Sequence, residues 1–179
     1  MRKRIALVAL VTASWLGSVG AQAPAPKPGP EHKKLEYFVG KWTTTGEMKA
    51  SPFGPAGKVT GSDNCEWFQG GFAVVCHSQG TAPTGPTRSI GIMGYSSEEK
   101  KYTYFGLDNT AMFMTAIPKG TVEGDTWTYT DSGTMGGQPY QARFVLKVVS
   151  PASYTFRWET LGPDRKWMPI LEGTSTRAK

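Results

Sequence analysis

The residues able to do chemistry are few, and two kinds of them meet in one stretch. Cys65 and Cys76 bracket CEWFQGGFAVVC, His77 follows directly, and His32 is the other imidazole of the chain. A turn at Gly70-Gly71 folds this stretch into an antiparallel hairpin that sets Asn64 opposite His77, Cys65 opposite Cys76 and Glu66 opposite Val75. Glu66 and His77 then lie diagonally on one face, within side-chain reach. Such a carboxylate and imidazole are candidates for general acid/base work; the competing reading is a solvated polar pair on an outward face. The opposed cysteines stand about 4.5 or 5.5 Å apart at the Cα atoms, depending on ladder position, and either spacing accepts a disulfide. Redox pairs favour Cys-x-x-Cys at a helix start, which these residues do not form. A tetrahedral metal site lacks ligands. The pair is expected to be a structural staple.

Elsewhere the catalytic inventory is thin. The chain has no Gly-x-Ser-x-Gly elbow, no His-Glu-x-x-His and no phosphate-binding or dinucleotide-binding loop. His32, beside a proline-rich segment, reads as solvated surface. With no histidine after His77, haem ligation would fall to Met93, Met112 or Met114, and methionines two apart on a strand more often fill a core. No metal and no cofactor are expected. Asp108, Glu159 and Glu172 form no recognisable pair, and Asp108-Asn109 reads as a strand-ending turn that caps backbone amides. Aromatic and sulfur bulk is plentiful instead. Trp67, Tyr104, Met112, Met114, Trp127, Tyr129, Phe156 and Trp158 are the candidates to line an apolar pocket or interlock into a solid core.

Strands must position these groups. From Lys41 on, short β-branched and aromatic runs are cut by Gly, Pro, Asp and Ser, the pattern of an all-β barrel or sandwich. Ten strands are read, near 41–49, 57–69, 72–80, 87–95, 100–108, 111–117, 120–130, 139–149, 152–160 and 166–176. Tyr140, Ala142, Phe144, Leu146 and Val148 alternate with polar neighbours, as do Tyr154, Phe156 and Trp158. Alternation of this kind suits a closed barrel, and a sandwich gives it too. The short links favour an up-and-down meander. Ahead of the strands, Pro30 opens a short helix with Leu35 and Phe38 on one face, ended by Gly40.

The N-terminus carries an address. Arg2, Lys3 and Arg4, an apolar stretch from Ile5 to Leu16, and Ala21-Gln22-Ala23 follow the order of a cleavable secretory signal. The stretch is short for a membrane span, which wants about 20 apolar residues. Cleavage after Ala23 removes three of the 20 basic residues and none of the 14 acidic ones, so the net charge falls from +6 to +3. A mildly basic exported chain without a clustered Lys/Arg patch is a poor nucleic-acid candidate. The expected organisation is a signal at 1–23, a proline-rich disordered linker at 24–31 and one domain at 32–179, periplasmic or secreted, with no later membrane span.

LEYFVGKW, residues 35–42, resembles the opening motif of lipocalins and other calycin barrels: a short helix, then Gly40-x-Trp42. The resemblance implies that Trp42 plugs the barrel base under an arginine of the last strand, here Arg177. Over nearly the whole mature chain, HKKLEYFVGKW, CEWFQGGFAVVC, GIMGYSSEEKKYTYFGLDN and EGTSTR resemble a bacterial family catalogued as domain of unknown function 1579, regarded as calycin-like and carrying no established activity. Its usual Gly-Tyr-Asp turn is Gly94-Tyr95-Ser96 here. The expectation is a lipocalin-like up-and-down barrel that binds or carries a small apolar or amphipathic molecule. The alternatives are a cavity-based isomerase or cyclase using Glu66 and His77 or Tyr104, and a ligand-free envelope interaction module with a packed core.

Overall fold

The computed structural model describes residues 26–52, 54–109, 117–135 and 138–178. Ten antiparallel strands close into one barrel, each paired with its chain neighbours and the last with the first. They are β1 (Gly40–Met48), β2 (Gly57–Trp67), β3 (Ala73–Ala82), β4 (Gly85–Ser96), β5 (Lys101–Asp108), β6 (Lys119–Glu123), β7 (Thr126–Met135), β8 (Gln138–Ser150), β9 (Ser153–Leu161) and β10 (Trp167–Arg177). Closure of β1 on β10, from Trp42 opposite Arg177 to Met48 opposite Leu171, decides for the barrel over the sandwich. It also leaves no free sheet edge along that join.

One sequence expectation changes. The run 120–130 is two strands, because Gly124 at φ +59° turns the chain between Glu123 and Thr126. Only glycine adopts that conformation cheaply. The strand read at 111–117 lies, all but Ile117, outside the described residues. Between β5 and β6 the ladder has two pairs, Tyr102 with Gly120 and Thr103 with Lys119.

The N-terminal segment folds across one end of the barrel as helix α1 (Pro30–Lys34) followed by a 3₁₀ turn (Leu35–Phe38). Glu31 pins it: its carboxylate receives a short hydrogen bond from the Tyr102 hydroxyl and pairs with Lys34 at 2.8 Å. His32 is not the solvated residue its sequence context suggested. It is 5% exposed, accepts the Gly29 amide at Nδ1 (3.1 Å), and stands edge-on to Phe72 and Tyr95. The helix lies against the barrel base and the 69–72 turn closes over it, which proximity to a proline-rich segment does not reveal.

Below the helix the calycin-type base is assembled. Trp42, 1% exposed, donates its indole N–H to the Phe38 carbonyl (2.8 Å). Arg177 places its guanidinium 4.5 Å from the Trp42 ring and donates to the Val39 and Tyr37 carbonyls, both at 2.7 Å. A Cβ on Gly40 would stand 2.8 Å from that guanidinium, so the glycine of Gly-x-Trp makes room for the arginine. The hairpin register is as read from sequence, with Asn64 opposite His77, Cys65 opposite Cys76 and Glu66 opposite Val75. Its turn is wider than two residues, since the Phe68 amide still donates to the Ala73 carbonyl (2.8 Å). Cys65 and Cys76 are joined as a disulfide with Cα atoms 4.0 Å apart, and neither cysteine is free.

Candidate functional site in the barrel lumen

Strand alternation assigns each side chain to the lumen or the outer wall. On β2 the odd-numbered residues are the covered ones, on β3 the even, on β4 the odd and on β5 the even, and the alternation persists around the ring. Glu66 and His77 fall on the outer wall and are exposed. His77 faces an outer hollow with Asn64, Gln79 and Arg88. The acid/base pair suggested by the hairpin therefore stands in solvent, the outcome of a register that sends Cys65, Trp67, Val74 and Cys76 inward.

The helix end of the lumen is solid. Phe38, Trp42, Tyr102, Trp127 and Tyr154 interlock there, with ring centroids 4.6 to 5.7 Å apart. Trp127, Phe156 and the partly covered Trp67 belong to this packed core. Toward the opposite end the lumen opens into a cavity of about 370 Å³. It is walled by Tyr104, Tyr129, Phe144, Trp158, Leu171 and Ala142, with Asp108, Asp131, Tyr140 and Arg143 closer to the strand ends. Of the aromatic candidates from sequence, Tyr104, Tyr129 and Trp158 line this space, while Met112 and Met114 lie outside the described residues.

Polar groups reach the lumen in register. Asp63 on β2 pairs with Ser78 on β3, Ser78 with Ser89 on β4, and Ser89 with Asp108 on β5. Four inward positions on adjacent strands thus form a polar row ended by two carboxylates. Asp63 accepts from Thr44 (3.4 Å), and Thr44 shares a hydrogen bond with buried Ser175 (2.6 Å). Asp131 on β7 accepts from the Tyr140 hydroxyl (2.7 Å). Tyr129 differs from these neighbours: it is 2% exposed, and its hydroxyl is the one buried side-chain polar atom without a partner among the described residues.

Burial holds the lumen phenols protonated. The Tyr104 phenol is pushed up to about 12, first by desolvation and then by the Asp63 and Asp108 carboxylates. Tyr129 and Tyr154 are raised further for the same first reason. Near neutrality these groups donate and accept hydrogen bonds but are not bases. At the mouth, buried Glu159 takes a short hydrogen bond from Arg143, whose guanidinium lies 4.5 Å from the Trp167 ring. Asp108 is cavity wall, whereas Asn109 does the capping expected of that turn, accepting the Arg88 amide (2.7 Å) and donating to the Pro86 carbonyl (3.1 Å). Ser96 caps in the Gly-Tyr-Ser turn, where its hydroxyl accepts the Glu99 amide at 3.2 Å.

Asp63, Asp131, Tyr140 and Phe144 were not singled out from the sequence as site residues. Strict alternation on β8 pointed Tyr140 and Phe144 inward, and the hairpin register placed Asp63 on the same side as Cys65. Among the described residues no three His, Cys, Asp or Glu side chains come together as a metal site. No helix among them is long and apolar enough to cross a membrane.

A family profile matches residues 27–177, a span that takes in the helical base and all ten strands. The chain belongs to the family described as Protein of unknown function (DUF1579). No curated protein matches it. Among solved structures, this family member is similar in fold to Rv2717c from M. tuberculosis, with a TM-score of 0.61 and 12% identity over 84% of this chain and 99% of that one. It is also similar to the S-type phycobiliprotein lyase CPES from Guillardia theta, with a TM-score of 0.56 and 13% identity over 83% and 93% of the two chains. At these identities the likeness is one of fold.

Proposed function

We propose that this protein is an exported barrel that holds one small amphipathic molecule in its lumen, as a binding or carrier protein. The observation that carries the reading is the cavity of about 370 Å³ walled by Tyr104, Tyr129, Phe144, Trp158 and Leu171. Its size lies at the lower end of the roughly 300–1,000 Å³ typical of small-molecule sites, and its apolar wall with few polar groups is their usual composition. A barrel meant only as a rigid interaction module gains nothing from this space, because unfilled volume forfeits dispersion contacts. The secretory pattern at 1–23 and the Cys65–Cys76 disulfide support an oxidising compartment outside the cytoplasm. The proline-rich segment ahead of α1 then serves as the linker to a single domain.

Of the alternatives, the acid/base enzyme loses its candidate pair to the outer wall, and Tyr104 is a neutral donor near pH 7. Native mass spectrometry on protein taken from its own host tests the binding reading. A mass excess of a few hundred daltons, one molecule per chain, is expected. A uniformly bare mass together with no uptake of the neutral probe N-phenyl-1-naphthylamine would sink it.

A further inference from the structure

The cavity wall contains one polar atom that the protein itself leaves unserved. Tyr129 is 2% exposed, and its hydroxyl has no hydrogen-bond partner. Buried hydroxyls in native folds nearly always have one, and each exception calls for a cause. Packing explains why this group cannot turn away to find a partner. The Tyr129 ring lies on bare backbone at Gly120, where a Cβ would stand 2.7 Å from its Cδ1 atom, and Tyr104 flanks it with ring centroids 6.1 Å apart. The carboxylate two residues along the same strand, Asp131, is committed elsewhere. One of its oxygens accepts the Ser132 amide (2.8 Å) and the other accepts the Tyr140 hydroxyl (2.7 Å).

Resting on the reading of the lumen as the binding chamber, we propose that its ligand is an uncharged molecule that presents a carbonyl-type oxygen to the Tyr129 hydroxyl from an apolar or aromatic body. A phenol donates better than it accepts, because its oxygen lone pair is shared with the ring, so the group that completes Tyr129 is an acceptor. Burial keeps this phenol protonated well above neutral pH, which leaves the proton available to donate. Tyr104, Phe144 and Leu171 line the same cavity and receive the apolar body. A carboxylate would also accept, but the only basic side chain among the described lining residues, Arg143, is already bonded to Glu159. Desolvating an anion without a partner costs more than one phenol bond returns. A ketone, ester or amide oxygen accepts without bringing a charge. Tyr129 then selects the polar end of the ligand, and the surrounding wall selects its body.

Three probes of matched shape test this by calorimetric titration of the intact protein: 2-acetylnaphthalene, 2-ethylnaphthalene and 2-naphthoate, which offer a neutral acceptor, no acceptor and a charged one. 2-Acetylnaphthalene is expected to bind about tenfold more tightly than 2-ethylnaphthalene, because it alone satisfies the buried hydroxyl without burying a charge. 2-Naphthoate should bind most weakly. In Tyr129→Phe the ratio between ketone and hydrocarbon should fall to within about twofold. The infrared carbonyl band of bound 2-acetylnaphthalene should lie at lower wavenumber than in hexane, and should return toward the hexane position in Tyr129→Phe. The comparison on the unmodified protein decides the matter even if the variant fails to fold. Equal affinity for ketone and hydrocarbon, a preference for the naphthoate, or a carbonyl band unmoved by the substitution overturns the assignment while leaving the lumen a binding chamber. Absence of binding by all three up to their solubility limits overturns both.

Discussion

Replacing Tyr129 by Phe should stabilise the ligand-free barrel, although it deletes a polar group and adds no contact. The ring is pinned: a Cβ on Gly120 would stand 2.7 Å from its Cδ1 atom, so the ring lies on bare backbone and Phe can keep its place. What changes is the hydroxyl, which is buried without a partner. An unsatisfied buried polar group costs about 1–3 kcal/mol, and removing it should return about 1–2 kcal/mol. For a domain of this size that is a rise in Tm of roughly 3–6 °C. Urea denaturation followed by tryptophan fluorescence gives the free energy, and differential scanning calorimetry gives Tm. Tyr102→Phe is the matched contrast, because the Tyr102 hydroxyl bonds Glu31. It should destabilise by about 1 kcal/mol, at the low end because that carboxylate is solvated. If Tyr129→Phe instead lowers stability by a kcal/mol or more, the hydroxyl is satisfied in the free protein and the wall is not strained toward a ligand.

Other consequences follow from the base and the phenols. Replacing Cys65 and Cys76 together by Ala should cost about 3 kcal/mol, the chain-entropy value for so short a loop, measured as a shift in the urea midpoint. Arg177→Met removes two 2.7 Å bonds to backbone carbonyls and the contact with Trp42. It should cost about 3 kcal/mol and weaken protection of the 35–38 amides in hydrogen exchange. Alkali should unfold the barrel steeply. Tyr102 and Tyr129 are raised well above the usual phenol value of 10.0, chiefly by burial. Above pH 10 the unfolded chain loses protons that the folded one keeps, so their contribution, complete below pH 10, drains away as pH climbs toward the folded values. Tyr129 accounts for at most about 1.4 kcal/mol per pH unit and Tyr102 for less, because its hydroxyl meets the solvated Glu31 carboxylate, so Tyr129→Phe should remove the larger part of this dependence in equilibrium unfolding at pH 10–12.

The wall was legible where the period of two was unbroken. β8 and β9 point inward the residues that the text of 140–148 and 154–158 assigns there, and the hairpin register follows from Gly70-Gly71. Gly124 was misjudged because one glycine in an otherwise strand-like run reads as a weak spot rather than a turn. His32 was misread because its burial depends on Phe72 and Tyr95, which only tertiary folding brings over it. The carboxylates were the deeper miss. Asp63, Asp108 and Asp131 lie on separate strands, and nothing local links them. Their common side emerges only when four registers place Asp63, Ser78, Ser89 and Asp108 in one row. The split between Trp127 in the packed base and Trp158 in the cavity wall likewise depends on barrel height, which alternation does not encode.

Filling the lumen tests the central claim most directly. Ala142, 4% exposed, lines the cavity beside Phe144 and Trp158, and Ala142→Phe would occupy much of the space without touching the base. Fluorescence titration with N-phenyl-1-naphthylamine should show one saturable site per chain in the unmodified protein. The folded Ala142→Phe protein should bind at least about tenfold more weakly, as expected when a ligand's apolar burial is displaced. Equal binding by the two proteins would place the probe elsewhere and contradict the account of the lumen as the binding chamber.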